Sequence, residues 1–243
     1  MTRIAILETG HPPEALRDKF DDYPARFRAL LGEDTPTERF DVQSGHLPDD
    51  PSVYTGCIVT GSAAGVYEDR PWIPALTQWL QQAKDRTRLL GICFGHQIMA
   101  HAFGGRVEKV DKGWGVGLHT YDVTSTEPWM HPRKDRLSIA VSHQDQVVEA
   151  PPEARVIARC DFTPYAGLAY GDNAISFQCH PEFQPAYAAA LTELRRGSII
   201  PDALVDEAVE SLKRPNDRAV LTAWIRAFLL LTPPPTELDG SGI

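Results

Sequence analysis

Apolar and polar positions along the chain fall into two patterns that alternate. Segments near 3–8, 38–43, 54–60 and 87–92 read as strands, and three of them are dense in aliphatic side chains, as strands buried on both faces require. Between them, segments near 23–31, 71–84 and 95–103 place apolar residues at helical spacing, with Trp72 and Trp79 seven apart on one helix as a buried stripe. Strand and helix in turn predict a parallel sheet covered on both faces, an α/β fold. From 106 to 178 the pattern changes. Short, turn-bounded strands near 115–124, 137–142, 155–161 and 166–170 outnumber helices, which predicts an antiparallel or mixed extension before a last core strand at 174–178. Beyond Glu182 the chain reads as helical at 185–195, 201–213 and 217–231, each opened by Pro or Asp, and Thr232-Pro233-Pro234-Pro235 stops regular structure.

The strand at 87–92 runs directly into Gly91-Ile92-Cys93-Phe94-Gly95-His96-Gln97 and then an apolar helix ended by Gly104-Gly105. A cysteine is thereby placed on a sharp turn between strand and helix, with glycines on both sides to remove clashes, the logic of a nucleophile elbow with sulfur in place of oxygen. A thiol at a helix N-terminus also meets unpaired N–H groups and the positive end of the helix dipole, which favour the thiolate. Later in the chain, Phe177-Gln178-Cys179-His180-Pro181-Glu182 supplies a base. A strand at 174–178 lying beside the Cys93 strand would deliver His180 to the same sheet edge, and Pro181 would set a turn from which Glu182 reaches back to the imidazole. Cys93, His180 and Glu182 are therefore the expected nucleophile, base and orienting carboxylate.

These two segments resemble the class I glutamine amidotransferase family, whose triad is a Cys in Gly-x-Cys-x-Gly-x-Gln and a later His-Pro-Glu; the resemblance covers about residues 3–195. It implies a three-layer αβα, flavodoxin-like fold with a mostly parallel central sheet, here with a C-terminal helical extension. The domain would span 1–200, with helices of 201–232 packed on it and a disordered tail at 233–243. In Gly61-Ser62-Ala63-Ala64-Gly65 the resemblance implies an oxyanion donor from the N–H of Ser62 or Gly61, with the N–H of Phe94 as the second. Ser62 stands where relatives more often have glycine, so an unusual backbone angle there would cost energy and leave the hole formed only with substrate bound. Val141-Ser142-His143-Gln144-Asp145-Gln146-Val147 resembles the family's Ser-His-x-Asp-x-Val; backbone groups at Ser142 and Gln144, with the Gln97 side chain, would hold the amino-acid head of a γ-glutamyl substrate, and His143 would shape the pocket. The implied reaction is hydrolysis of a γ-glutamyl amide through a glutamyl thioester, with no cofactor and no metal.

Composition narrows the partners. The 243-residue chain, 42% hydrophobic, is long enough for one full α/β core. Its 33 acidic against 24 basic residues, net charge −9, disfavour non-specific nucleic-acid binding, and no run approaches the roughly 20 apolar residues of a membrane span. Cys57, Cys93, Cys160 and Cys179 lack metal-ligand spacing; Cys57 and Cys179 read as inert core thiols, and a cytoplasmic, reduced setting is the simplest account. Glu8–Pro13, after the first strand, reads as a solvent loop, with a lid over the sheet edge as the alternative. No synthase segment accompanies the family motifs, so two readings stand beside glutaminase chemistry: a synthase partner that takes the ammonia, or a free-standing γ-glutamyl peptidase acting on glutathione-like or γ-glutamyl-amine substrates. A non-catalytic regulatory or binding module ranks below both, because the triad is complete.

Overall fold

A computed structural model describes residues 2–229; the expected tail at 233–243 lies outside them. In chain order the elements are β1 (Ile4–Glu8), α1 (Glu14–Arg17), α2 (Tyr23–Leu31), β2 (Thr37–Asp41), β3 (Gly56–Val59), α3 (Trp72–Ala83), β4 (Arg88–Ile92), α4 (Phe94–Ala102), β5 (Arg106–Lys109), β6 (Gly115–Val123), β7 (Arg136–His143), β8 (Asp145–Glu149), β9 (Ala154–Arg159), β10 (Gly167–Tyr170), β11 (Ala174–Phe177), α5 (Pro185–Leu194), α6 (Asp202–Ser211) and α7 (Arg218–Phe228). Nine strands form one sheet in the order β2-β1-β3-β4-β11-β10-β9-β6-β7. Pairing is parallel from β2 to β11 and antiparallel from there to β7, which matches the change of pattern read after residue 106.

Alternation along the strands separates two cores. Ile4, Ile6, Ile58, Leu90 and Ile92 face α2 and α7, where Phe27, Leu31, Trp224 and Phe228 are buried. Their neighbours Ala5, Leu7, Cys57, Val59 and Leu89 face α3 and α4. The sheet is thus the middle of three layers, and each fully buried Leu, Ile or Phe contributes about 1.5–3 kcal/mol relative to exposure. Trp72 and Trp79 are buried on α3, as their spacing suggests, and Trp79 Nε1 donates to the Pro48 carbonyl at 2.8 Å.

Three elements are additions to the sequence reading. α1 is a four-residue helix, too short for a periodic signal. β5 and β8 pair with each other in a separate two-stranded sheet, whose apolar contact to the core is mainly Val107 and Val147. Only Gln144 separates β7 from β8, so the chain leaves the large sheet at this residue and bends towards α4.

Candidate active site

The elbow forms where β4 ends. β11 runs parallel beside β4 with Phe177 opposite Ile92, and the Cys93 N–H donates to the Phe177 carbonyl at 2.9 Å. Cys93 has φ of 55°, one of two non-glycine residues with positive φ among those described, the other being Asp85. Such a conformation costs about 1–3 kcal/mol and persists only where surroundings enforce it. Here the Gly95 N–H donates to the Thr60 carbonyl at 3.2 Å and the Gln97 N–H to the Cys93 carbonyl at 3.1 Å, while buried Phe94 packs on Trp72. The flanking glycines are needed for close approach: a Cβ at Gly91 would overlap the Gly95 carbonyl, and one at Gly95 would overlap the Val59 carbonyl. His96 supports the elbow from beneath. Its Nδ1 lies 2.8 Å from Ser176 Oγ, and burial pushes its pKa down to about 3, so it stays neutral.

His180 emerges just past β11, its N–H donating to the Ala140 carbonyl of β7 at 2.9 Å. Its Nδ1 lies 2.7 Å from Glu182 Oε1, and its ring stacks on Phe183 at 3.9 Å. Burial opposes the imidazolium, but the Glu182 carboxylate and the Cys93 sulfur outweigh it and raise the His180 pKa to about 10. A Cβ placed on Gly61 would lie 3.2 Å from His180 Cε1 and 3.8 Å from Cys93 Cβ, so the loop after β3, the thiol and the imidazole meet at one point. The loop itself is tied down by Thr9, whose hydroxyl donates to the Thr60 carbonyl at 2.9 Å.

Ser62 does not have positive φ, so serine costs no left-handed strain in this structure. Its Oγ instead accepts from the Ala64 N–H at 3.2 Å. Phe94 is the first residue of α4, where a backbone N–H has no intrahelical acceptor.

Cys93, Ser62, Gln97, Ser142, His143 and Gln144 line one cavity of about 310 Å³. Cys93, Gly61, Ser62, Ser142 and His180 also line a smaller one of about 60 Å³. Gln97 Nε2 donates to the Asp145 carbonyl at 2.8 Å and to Gln178 Oε1 at 3.2 Å; the Asp145 carbonyl can only accept, which fixes the amide orientation. The His143 ring is buried against Phe162 at 5.9 Å, with Nδ1 3.1 Å from the Asp145 carbonyl. Burial, with His119 adding to it, pushes its pKa down to about 3.

Several side chains at the site escaped the sequence reading. Arg195 lines both cavities, donates from Nη1 to Ser142 Oγ at 2.7 Å, and lies over the Trp114 ring at 5.0 Å. Burial disfavours its charge, while Tyr23 and Cys93 favour it. An arginine at the end of a helix reads as a complement to the dipole, so the linear sequence offers no signal for this role. Tyr67 donates from its hydroxyl to Asp145 Oδ2 at 2.8 Å and so bridges the Ser62 loop to β8. His11 and Pro13 line the smaller cavity, so the loop after β1 is part of the site wall and not a loop in solvent alone. Burial pushes the Cys57 thiol up to about 12 and the Cys179 thiol upward as well, as expected of inert core thiols. A larger cavity of about 900 Å³ lies behind Glu182 and includes Arg26 and Arg218, not Cys93. Among the described residues no cluster of His, Cys, Asp and Glu suits a metal ion, and no helix is long and apolar enough to cross a membrane.

A family model described as glutamine amidotransferase class-I matches residues 38–191. Gamma-glutamyl peptidase 5 of Arabidopsis thaliana is 32% identical over 192 residues, covering 74% of this chain and 76% of that protein. A glutamine-hydrolyzing GMP synthase of Thermomicrobium roseum is 35% identical over 127 residues, 52% of this chain but 23% of the synthase. In structure, a glutamine amidotransferase from Thermotoga maritima superposes with a TM-score of 0.74 over 94% of this chain and 96% of its own, at 20% identity, a likeness of fold.

Proposed function

The chain belongs to the class I glutamine amidotransferase family, and on that premise we propose that it hydrolyses γ-glutamyl amide bonds through Cys93, His180 and Glu182. The observation that carries this reading is the elbow at Cys93 set against a buried His180 whose Nδ1 is held by Glu182 at 2.7 Å. The Cys93 thiolate attacks the γ-carbonyl carbon, forming a C–S bond. The oxygen takes the negative charge and rests on the N–H groups of Phe94 and Ser62 or Gly61. The raised pKa keeps a proton on His180 at neutral pH, and that proton passes to the departing nitrogen as the C–N bond breaks. The neutral imidazole then takes a proton from water as its oxygen attacks the thioester carbon; the C–S bond breaks, glutamate is released and the Cys93 thiolate is restored.

The 310 Å³ cavity suits the γ-glutamyl head. Asp145 and Glu68 face it as acceptors for the α-ammonium, beside Gln97, Ser142, His143 and Gln144, and Arg195 offers a partner for a carboxylate. Its neighbour, walled by His11, Pro13 and Phe183, lies on the His180 side of Cys93, where the departing nitrogen takes its proton. Similarity to γ-glutamyl peptidases over most of their length favours a free-standing peptidase; similarity to glutamine-hydrolyzing GMP synthases supports a second reading, a glutaminase that delivers ammonia to a synthase-type partner.

The test is glutamate release by the purified chain from glutamine, glutathione and γ-glutamyl amines, with Cys93→Ser as control. Release from a peptide or amine, reduced at least about a thousandfold in C93S, is expected. Near wild-type release by C93S overturns the assignment of the nucleophile. No release from any compound, with Cys93 still labelled by a glutamine-like diazo-ketone, selects the partner-dependent glutaminase.

A further inference from the structure

The turn that carries His180 and Glu182 is closed by the Phe183 N–H, which donates to the His180 carbonyl at 3.2 Å, and it is tied to the rest of the fold at two further backbone points. At one end the His180 N–H reaches the Ala140 carbonyl of β7 at 2.9 Å. In the middle, the Pro181 carbonyl accepts from Arg218 Nε at 2.6 Å. Proline has no N–H, so this carbonyl is the single main-chain polar group that Pro181 offers between the two residues. Arg218 opens α7, and the start of α7 is itself clasped to β7: the Asp217 N–H donates to the Ser138 carbonyl at 2.8 Å, and the Ser138 N–H donates to Asp217 Oδ2 at 2.9 Å. Both anchors of the turn are thus referred to one strand.

Glu182 needs such support. It is 2% exposed, its Oε1 is engaged with His180, and its Oε2 has no hydrogen-bond partner among the described residues. A carboxylate held on one side only takes its aim from its backbone. We infer that Arg218 is a positioning residue for the triad: by fixing the Pro181 carbonyl, the C-terminal helix α7 keeps Glu182 in line with the His180 imidazole. The inference rests on the triad proposed above. It gives the C-terminal extension a part in the chemistry, where sequence reading makes it a packing addition.

The test compares Arg218→Met and Arg218→Lys with wild type in three measurements: carbamidomethylation of Cys93 by iodoacetamide at neutral pH, followed by peptide mapping; kcat and KM for the best γ-glutamyl substrate; and thermal unfolding. R218M should slow Cys93 alkylation and lower kcat by about tenfold each, with KM within about twofold, because a small misalignment costs reactivity more than binding. R218K keeps a donor for the Pro181 carbonyl and should recover most of both losses. The inference falls if R218M alkylates within twofold of wild type, or if R218K loses as much as R218M alongside an equal drop in unfolding temperature, the mark of a strut. Should R218M fail to fold, R218Q takes its place under the same outcomes. Alkylation needs no substrate, so a wild-type protein that alkylates at Cys93 yet releases no glutamate sets aside the free-standing peptidase while the Arg218 comparison still decides.

Discussion

At the scale of single residues, the candidate site sets a sulfur beside a buried charge pair. The 2.7 Å contact to Glu182 fixes the imidazole tautomer and supplies the charge that sustains the imidazolium against burial. Glu182→Gln keeps an acceptor for Nδ1–H but removes that charge, whereas His180→Ala removes the base altogether. E182Q should therefore lose about two orders of magnitude less turnover than H180A, and its His180 should titrate below about 10. Steady-state rates and an NMR titration of the imidazole check both; a fully active H180A would defeat the base assignment. Cys93, His180 and Glu182 were legible in the sequence because each announces itself through immediate neighbours: glycines that only a tight elbow needs, and a proline that spaces His from Glu. Arg195 and Tyr67 were not, since an arginine ending a helix and a tyrosine in a loop are ordinary until the fold sets them beside Cys93.

At the scale of elements, the elbow is a junction of three: β4 delivers Cys93, α4 leaves it, and β3 presses against both. The Gly95 backbone meets the Val59 carbonyl so closely that any Cβ must displace one of them. Gly95→Ala is expected to cost about 1–3 kcal/mol by overpacking and to lower turnover with it, because the helix carrying the Phe94 N–H moves. Urea unfolding and glutamate release measure the two effects, and unchanged values in both would show that the junction has slack. β4 was legible as a short buried strand and β11 as an alternating one placed beside it. β5 and β8 were not, because strands touching the core chiefly through Val107 and Val147 carry almost no alternation to read. The turn of the chain at Gln144 belongs with them: the segment 141–147 reads as the end of one strand, while the structure divides it between two sheets.

At the scale of the whole molecule, three buried histidines give stability a pH dependence with two arms. His180 is raised from 6.5 to about 10, so the stability it contributes is complete below about 6.5 and lost as pH rises through about 10. His96 and His143 are lowered to about 3, so theirs is present above about 6.5 and lost as pH falls towards 3. The unfolding temperature should peak near pH 6.5, and H180A should flatten the alkaline arm while leaving the acid arm in place; an alkaline arm equally steep in H180A would show that other groups set it. What the sequence by itself determined is the part of this protein written in short range: strand and helix periods, the elbow, and the His-Pro-Glu turn, all of which are consequences of adjacent backbone and side-chain geometry. Tertiary structure alone decided which distant residues complete the site. Arg195 reaches Ser142 from α5, Tyr67 reaches Asp145 across the cavity, and Arg218 reaches Pro181 from α7. Such contacts depend on where whole elements pack, and packing is set by the summed burial of both faces of the sheet and not by any local pattern around the residues that meet.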